Sequence, residues 1–467
     1  VNNIEYLSSK SSEEVSKQEP TEAQILNSVV NDVFQKTEVL NFIGIDRGEK
    51  HLVYSCIIDS NGKIVDNGCK HYDVINGTNY VEKLEVRADE RDKARKNMQR
   101  VKNISNLKDG YISHVVHGLT NTIIKDKEGN INPHAYIVLE DLSRGMKDSR
   151  QKIEKQVYQK LETALAKKLN FVVDKEAKNG EIGSVGKALQ LTPPFGTYQD
   201  IEGKKQFGVM LYTRANYTSV TDPATGWRKT IYLKNGKIDE IKEQIMDKFT
   251  DFGFDGKDYY FTYKENNVGK EWVMYSGKDG VSLPRFQNKK SAQTDYDIWI
   301  PEQVDIVGML NKIFEGFDKT KSFKDQIIKD GREINKLDGR NETAWQSLVY
   351  VINVIQQIRN SGKKEKDEKD EKYDNFLYSP VRNEKGEHFD TTNYENNGDL
   401  AQIVDADANG AYNIARKGLI MHEHIKYAKD KGKEPDLFIS DREWDMWLLN
   451  RGEWKKHLSE FALRKES

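Results

Sequence analysis

The chain has 467 residues, of which 36% are hydrophobic and 32% charged, and its formal net charge is −2. This length favours two to four domains with ample buried core, and the polar composition favours an elongated or partner-dependent protein. Because the charges balance, any surface that binds nucleic acid must be a local patch. Two cysteines are too few for a paired disulfide framework or a four-ligand zinc site, and the absence of a long apolar run or a secretory leader leads us to expect a protein of the reducing cytoplasm.

The first 40 residues carry little folding signal. Residues 1–38 are rich in Ser, Glu, Lys and Gln, with one weakly apolar helical stretch at residues 25–33. We therefore predict that residues 1–40 form a poorly ordered tail or the remnant of a preceding domain. The chain begins with Val1 instead of Met, which suggests a fragment or an alternative start codon.

A β pattern begins at Leu40. An apolar run, Phe42–Ile45, ends in Asp46, and a second run follows at residues 51–58. The turn at residues 59–62 contains Asn-Gly, a strong hairpin signal, and leads into a further short apolar run. The pattern predicts an antiparallel hairpin beside a strand that ends in a carboxylate.

A long basic helix is predicted over residues 84–108. From Lys93 to Lys108 it carries six basic residues and no acidic one, with its apolar residues on a single stripe. Basic residues on an exposed helix face are usually only solvated, but the lack of acids here favours contacts with nucleic-acid phosphates, which act by charge. The candidate nucleic-acid ligands on this helix are Lys93, Arg95, Lys96, Arg100 and Lys102.

The next elements alternate between strand and helix, which indicates an α/β fold. The apolar run Tyr136–Leu139 ends in Glu140, and apolar residues at i+4 spacing from Ile153 to Leu169 predict a helix. From residue 212 to 398 the composition changes, which indicates an inserted domain. It contains an aromatic β-hairpin within residues 252–275, whose rings we expect in a sheet core rather than as base-stacking platforms, and a helix at residues 345–358.

The C-terminal segment returns to helices. Asp407 begins an apolar-periodic helix, and residues 444–461 predict one Trp-rich amphipathic helix. Asp405 lies two positions before Asp407, and we interpret it as a loop residue or as a group that supports the site without binding metal.

Three carboxylates far apart in the sequence form the strongest functional pattern. Asp46 and Glu140 end apolar strands, and Asp407 starts a helix whose dipole favours a negative charge. Each alone is most simply a turn, loop or capping residue. Together they are what a two-metal phosphodiester nuclease of the RNase H/RuvC type needs, because Mg²⁺ prefers oxygen ligands held on rigid elements.

At these residues the chain resembles a known family. Residues 43–49, 138–142 and 405–412 look like the three RuvC motifs of the type V-A CRISPR RNA-guided DNA endonucleases, the Cpf family or "Cas twelve a". Further matches run in the same order along the chain, at residues 109–113, 155–162, 217–219, 222–223, 379–381 and 389–390. The resemblance covers residues 41–467, which correspond to the C-terminal catalytic part of that family.

The resemblance implies a fold class and a set of domains. It implies an α/β fold in which a RuvC/RNase H-like mixed sheet with flanking helices is built from residues 41–211 and 399–467. An inserted α+β domain similar to the family's Nuc domain would occupy residues 212–398. The basic helix resembles the family's bridge helix, although Met98 stands where the family usually has a Trp.

The resemblance also implies a function. Asp46, Glu140 and Asp407 match the catalytic carboxylates, which would bind two Mg²⁺ ions with Mn²⁺ as a substitute. Arg359 matches an arginine that supports cleavage, with Ser361 nearby as a nucleic-acid contact. The family's Asp before its Ser-Pro-Val motif does not transfer cleanly, because Asn375 stands there and Asp374 lies one residue earlier.

The expected activity is RNA-guided DNA cleavage in antiviral defence. The partners would be a guide RNA, the target DNA and an upstream recognition lobe, which residues 1–40 do not resemble. Two alternatives stay open: a transposon-associated RuvC-type nuclease, and a truncated fragment that binds nucleic acid without cutting it. The first alternative usually carries a Cys-x-x-Cys zinc ribbon between its last two motifs, which this sequence lacks.

Overall fold

A computed structural model describes most of the chain. The described residues are 20–47, 51–80, 82–84, 86, 104–126, 129, 131–141, 152–174, 176–214, 216–234, 236–265, 269–277, 281–287, 298–337, 343–363 and 373–464. For residues 104–106, 152–157, 281–287, 298–303, 361–363 and 373–375 only the backbone is described.

A six-stranded mixed sheet forms the centre of the first half of the protein. Its strand order is β3-β2-β1-β6-β8-β7, in which β1 pairs with β6 and β6 with β8 in parallel, whereas the other pairs are antiparallel. The strands are β1 (Asn41–Asp46), β2 (Tyr54–Asp59), β3 (Ile64–His71), β6 (Ala135–Glu140), β7 (Gln206–Phe207) and β8 (Met210–Thr213), with a separate small hairpin of β4 (Val74–Ile75) and β5 (Thr78–Asn79). This mixed sheet with flanking helices confirms the predicted RuvC/RNase H-like α/β fold class.

Four long helices accompany this sheet. They are α1 (Glu22–Phe34), α2 (Ile104–Ile124), α3 (Lys152–Asn170) and α8 (Ala406–Asp430). Each contributes buried apolar residues to the same core as the strands. The predicted helix within residues 153–169 is confirmed by α3.

Helix α1 corrects the expectation of a poorly ordered N-terminal tail. Thr21 caps this helix, and Val30 and Phe34 on one face are buried in the core of the sheet. On the same helix Asn31 accepts a hydrogen bond from the Tyr136 hydroxyl at 2.7 Å. Residues 22–34 fold because a few apolar positions at helical spacing suffice when a neighbouring sheet covers them.

Glycine lets helix α8 lie directly against the centre of the sheet. A Cβ atom at Gly44 of β1 would come closer than 3.0 Å to the Ala411 carbonyl oxygen and the Ala415 amide nitrogen. On the helix, a Cβ atom at Gly418 would collide with the Val138 side chain of β6. The strand–helix separation therefore depends on residues without side chains on both facing surfaces.

A second hydrophobic core lies within the predicted insertion. It is surrounded by a three-stranded sheet of order β11-β10-β9 and a five-stranded sheet of order β13-β12-β14-β15-β16. The elements are α4 (Ile238–Lys248), β9 (Asp251–Phe254), β10 (Tyr259–Lys264), β11 (Glu271–Tyr275), β12 (Val281–Gln287), β13 (Ile298–Val304), α5 (Ile306–Ile313), α6 (Phe323–Lys329), α7 (Ala344–Ile355), β14 (Arg359–Lys363), β15 (Tyr373–Arg382) and β16 (His388–Asp390). Phe252, Tyr259 and Phe261 are buried there, as expected for sheet-core aromatics.

The two cores meet through defined contacts. Arg228 donates two hydrogen bonds to the carboxylate of Asp445, both at 2.8 Å, and this pair is buried. Leu377 and Phe389, from the predicted insertion, pack in the first core. The division of the chain at residues 211 and 398 stays a prediction.

The C-terminal region differs from the single helix predicted for residues 444–461. Three short helices stand there: α9 (Asp441–Leu449), α10 (Arg451–Lys456) and α11 (Leu458–Phe461). The prediction was wrong because Asn450 has a non-helical backbone and caps α10 with its side chain. The apolar periodicity continues across Asn450, so the break between the helices could not be predicted from the pattern.

Two further features complete the description. Cys56 and Cys69 face each other across β2 and β3 with Cα atoms 4.1 Å apart and form a disulfide, which the cysteine count did not predict. Within the described residues, every helix is too short or too polar to cross a lipid bilayer.

Candidate active site

Asp46 and Glu140 lie side by side at one edge of the first sheet. Strands β1 and β6 run parallel with Gly44 opposite Val138, and each carboxylate comes two residues later on its strand. Parallel neighbours bring their carboxyl ends to the same edge, as the sequence predicted. Both side chains are almost fully buried, with 7% and 5% of their surface exposed.

Helix α8 brings the third carboxylate to the same place. Asp407 lies in its first turn, and Asp405 is the N-cap, its side chain accepting a hydrogen bond from the Ala408 amide at 2.9 Å. One turn further, Gly410 touches the Asp46 carboxylate so closely that a Cβ atom there would collide with it. The start of the helix therefore lies directly over the end of β1.

Four of the predicted residues, Asp46, Glu140, Asp407 and Arg359, lie within electrostatic range of one another at Asp46. Burial raises the pKa of Asp46 well above its usual range, and the carboxylates of Glu140 and Asp407 raise it further. The guanidinium groups of Arg47 and Arg359 act on this pKa in the opposite direction. Arg359 is half-buried on β14, so an element of the second core contributes to the site.

Arg47 and His51 hold two of the carboxylates in place, and the sequence analysis assigned neither of them a role. The Arg47 Nε donates a hydrogen bond to Glu140 Oε2 at 2.8 Å, and its guanidinium lies over the Tyr158 ring. The His51 backbone amide donates to Asp407 Oδ2 at 3.0 Å. The position of Arg47 directly after Asp46 could have indicated a role at the site. A contact made by a backbone amide cannot be predicted from the type of residue.

A buried lysine supports the site from the helix. Lys417 Nζ donates hydrogen bonds to the carbonyl oxygens of Arg214 and Asn216, at 2.7 and 3.0 Å. Burial lowers the pKa of Lys417 to about 8, against the influence of Glu140, which acts to raise it. This lysine therefore fixes the segment after β8 to α8.

Two asparagines of the third motif have a similar structural role. Asn409 Nδ2 donates to the Thr221 carbonyl oxygen at 2.9 Å, and Asn413 Nδ2 donates to that of Thr218 at 2.8 Å. Both side chains are completely buried. They satisfy carbonyl groups of a short 3-10 turn, Thr218–Val220, and of Thr221 directly after it, and so fix the rotation of α8 about its axis.

His51 also joins the N-cap of α8 to the segment after β3. Its Nε2 lies 2.9 Å from Asp405 Oδ2, and its Nδ1 contacts Asp73 Oδ2. Burial acts to lower the pKa of His51, but the hydrogen bonds with the two carboxylates outweigh it and raise the pKa to about 9. Asp405 is thus a capping and supporting residue, in line with its interpretation from the sequence.

Several predicted residues are not tested by this geometry. Lys93, Arg95, Lys96, Arg100 and Lys102 lie outside the described residues, as does Met98. Ser361 on β14 faces Asn375 on β15 in the register, and Gly362 faces Asp374, with only the backbone described. These assignments stay predictions.

The three carboxylates fit a divalent cation. They are buried oxygen donors from three different elements, and their mutual repulsion is the reason that the pKa of Asp46 is raised beyond the effect of burial alone. Hard cations such as Mg²⁺ take ligands of this kind, and a cation between them would remove the repulsion. Asp46, Glu140 and Asp407 are therefore the residues that could hold the metal.

Comparison with known protein families gives an independent result. The family model described as the RuvC nuclease domain matches residues 20–452, which is most of the chain. The match includes the three carboxylates, Arg359 and the whole of the second core.

Proposed function

Because the chain belongs to the RuvC nuclease family, we propose that it is an RNA-guided endonuclease that hydrolyses DNA phosphodiesters with divalent metal ions. The observation that carries the metal-dependent chemistry is that Asp46 and Glu140 end two paired parallel strands, Asp407 lies in the first turn of α8, and the three buried carboxylates interact electrostatically. The RNA-guided part rests on the resemblance of the three motifs and their flanking segments to the type V-A CRISPR endonucleases.

The protein's own residues supply the framework for hydrolysis. Asp46, Glu140 and Asp407 would hold two Mg²⁺ ions, with Mn²⁺ as a substitute. Such ions activate water for attack and stabilise the leaving oxygen of an in-line displacement. Arg47 fixes the Glu140 carboxylate and the His51 amide fixes that of Asp407, so that the ligand oxygens keep their places before the metal arrives.

Arg359 has the chemistry to position a DNA strand. Its guanidinium acts to lower the pKa of Asp46, so it lies within electrostatic range of the carboxylates. A planar guanidinium can clamp a phosphate with two hydrogen bonds, which a lysine reproduces poorly. We assign Arg359 to the scissile strand and not to the metal.

The partners follow from the same resemblance. We propose a guide RNA and a target DNA, contacted by the basic helix predicted over residues 84–108 and by Ser361, together with a recognition lobe joined upstream. In this proposal residues 41–211 and 399–467 form the RuvC part and residues 212–398 the Nuc-like insertion. The role in antiviral defence belongs to the proposal as well.

Removal of divalent metal should abolish cleavage. We expect the chain, joined to its recognition lobe and loaded with guide RNA, to cut target DNA in Mg²⁺ and to stop in EDTA, because three buried carboxylates repel a phosphate unless a cation lies between them. End analysis of the products should give 5′-phosphates and 3′-hydroxyls. Cutting that persists in EDTA would contradict the metal-dependent mechanism, and cutting that needs no guide would contradict the RNA-guided one.

Arg359→Ala should slow the second strand cut more than the first. A single RuvC site must cut the two strands in turn, and the second strand depends more on being positioned. Strand-resolved rates for wild type and Arg359→Ala measure the effect, which we expect to be about tenfold or more on the target strand. Arg359→Lys is the matched control and should recover only part of the rate, and equal losses on both strands would leave Arg359 without a strand-specific role.

A further inference from the structure

A cluster of two histidines and one aspartate lies beside the candidate active site. His71 ends β3, Asp73 follows it, and His51 precedes β2, which pairs with β3. We propose that His51, His71 and Asp73 bind one transition-metal ion of the zinc class, at a site separate from the three carboxylates. This proposal does not rest on the proposed nuclease function.

The three side chains have the spacing of metal ligands. One potential ligand atom from each lies within 4.8 Å of the others. His71 Nδ1 and Asp73 Oδ2 are 3.3 Å apart, close to the separation of about 3.4 Å expected for two ligands around a tetrahedral zinc ion. The His51 Nδ1 forms a hydrogen bond with the same Asp73 oxygen, which a metal ion would replace. The two imidazole rings are stacked with centroids 4.5 Å apart, so the more exposed His71 ring would turn for both nitrogens to face one ion.

Surrounding hydrogen bonds orient the donor atoms. Asp405 Oδ2 accepts from His51 Nε2 at 2.9 Å, so that Nδ1 is directed at Asp73 and His71. A carboxylate behind a histidine in this way is the usual support of a metal-binding imidazole. Asp73 Oδ1 accepts the Leu52 amide at 3.2 Å, which turns Oδ2 toward the histidines.

The donor set selects the class of metal. Two imidazoles and one carboxylate suit zinc, cobalt or nickel, whereas magnesium prefers oxygen ligands alone. Two of the donors are firmly held, since the side chains of His51 and Asp73 are only 11% and 13% exposed. The His71 side chain is 45% exposed and leaves a route for an ion from solvent.

A metal ion here would connect two parts of the fold. Asp405 caps α8, and the His51 amide contacts Asp407 in the first turn of that helix. The ion would therefore tie the β2–β3 edge of the sheet to the beginning of α8. Since it binds the folded state, it should raise the melting temperature of the protein.

Cobalt titration tests the proposal without any nuclease assay. We expect metal-free protein, in excess Mg²⁺, to bind one equivalent of Co²⁺ with visible absorption from nitrogen ligands, and Zn²⁺ to displace it. His71→Asn and Asp73→Asn should each weaken Co²⁺ binding by about tenfold or more and remove the metal-dependent rise in melting temperature. Circular dichroism of each metal-free variant checks that it is folded.

The control variant is His117→Asn. His114 and His117 are exposed on α2 at helical spacing and are another place where Co²⁺ could bind. His117→Asn should leave the high-affinity binding unchanged. The proposal is overturned if wild type binds no Co²⁺ in excess Mg²⁺, if folded His71→Asn and Asp73→Asn bind as wild type does, or if only His117→Asn loses binding.

Discussion

Asp46→Asn should lower Mg²⁺-dependent DNA cleavage by roughly a thousandfold or more. The amide keeps the shape of the side chain but removes a full negative charge from a buried site that Asp46 shares with the carboxylates of Glu140 and Asp407. Cleavage rates under single-turnover conditions, with Mg²⁺ and with Mn²⁺, measure the loss. Retained cleavage of both strands would rule out Asp46 as a metal ligand.

The same variant should be more stable than wild type when no metal is bound. The pKa of Asp46 is raised in the folded protein by burial and by Glu140 and Asp407, so its contribution to stability is present at low pH and is lost as the pH rises through that raised value. The gain in melting temperature of Asp46→Asn should therefore grow from about pH 4 upward.

Asp141→Asn is the matched control for the cleavage experiment, because Asp141 pairs with Lys205 at 2.5 Å and its replacement should leave the metal site intact.

Gly44→Ala should destabilise the protein by about 3 kcal/mol or prevent it from folding. The added methyl group would meet the backbone of Ala411 and Ala415, which cannot move aside by changing a rotamer. The strand and α8 would have to separate, and with them the Asp46 and Asp407 carboxylates. Urea denaturation and cleavage assays should show both losses together.

Gly110→Ala provides the contrast for this experiment. Gly110 lies within α2, and apart from its chain neighbours and the adjacent backbone of the helix, no atom of the described residues comes within 4 Å of a Cβ atom placed there. Alanine is the better helix former, so this change should stabilise the protein by about 1 kcal/mol. A similar loss in both variants would mean that helix–sheet contact at Gly44 is not the cause.

Much of the site was predictable because local patterns mark it. Asp46 and Glu140 each end an apolar run, and Asp407 lies near the start of a helix. Charged groups at the ends of strands and helices can meet at one edge of a sheet, and the apolar periodicity marks where those ends are. The parallel pairing of β1 with β6 then brought the two strand carboxylates together. Arg359 could be singled out only through the family resemblance, since its own segment carries no distinctive pattern.

The other features of the site and fold depend on tertiary contacts, which a local sequence pattern does not predict. The link from His51 to Asp405 spans most of the chain, as does its amide contact with Asp407. The close approach at Gly44 and Gly410 requires the positions of two elements at once. The break at Asn450 was hidden because apolar spacing runs through it. The helical stretch at residues 25–33 was not expected to be ordered because the stability of α1 comes from the sheet that it covers.

The order of the elements along the chain determines the order in which they become available to fold during translation. Strands β1 and β6 emerge before the second core, and the helix that covers them follows only after the whole of that core has been synthesised. Until α8 leaves the exit tunnel, a nascent chain carries Asp46 and Glu140 without Asp407, and the inner face of the sheet lacks its cover. The three carboxylates can therefore come together only after α8 has been synthesised, so a chain interrupted before residue 406 lacks Asp407.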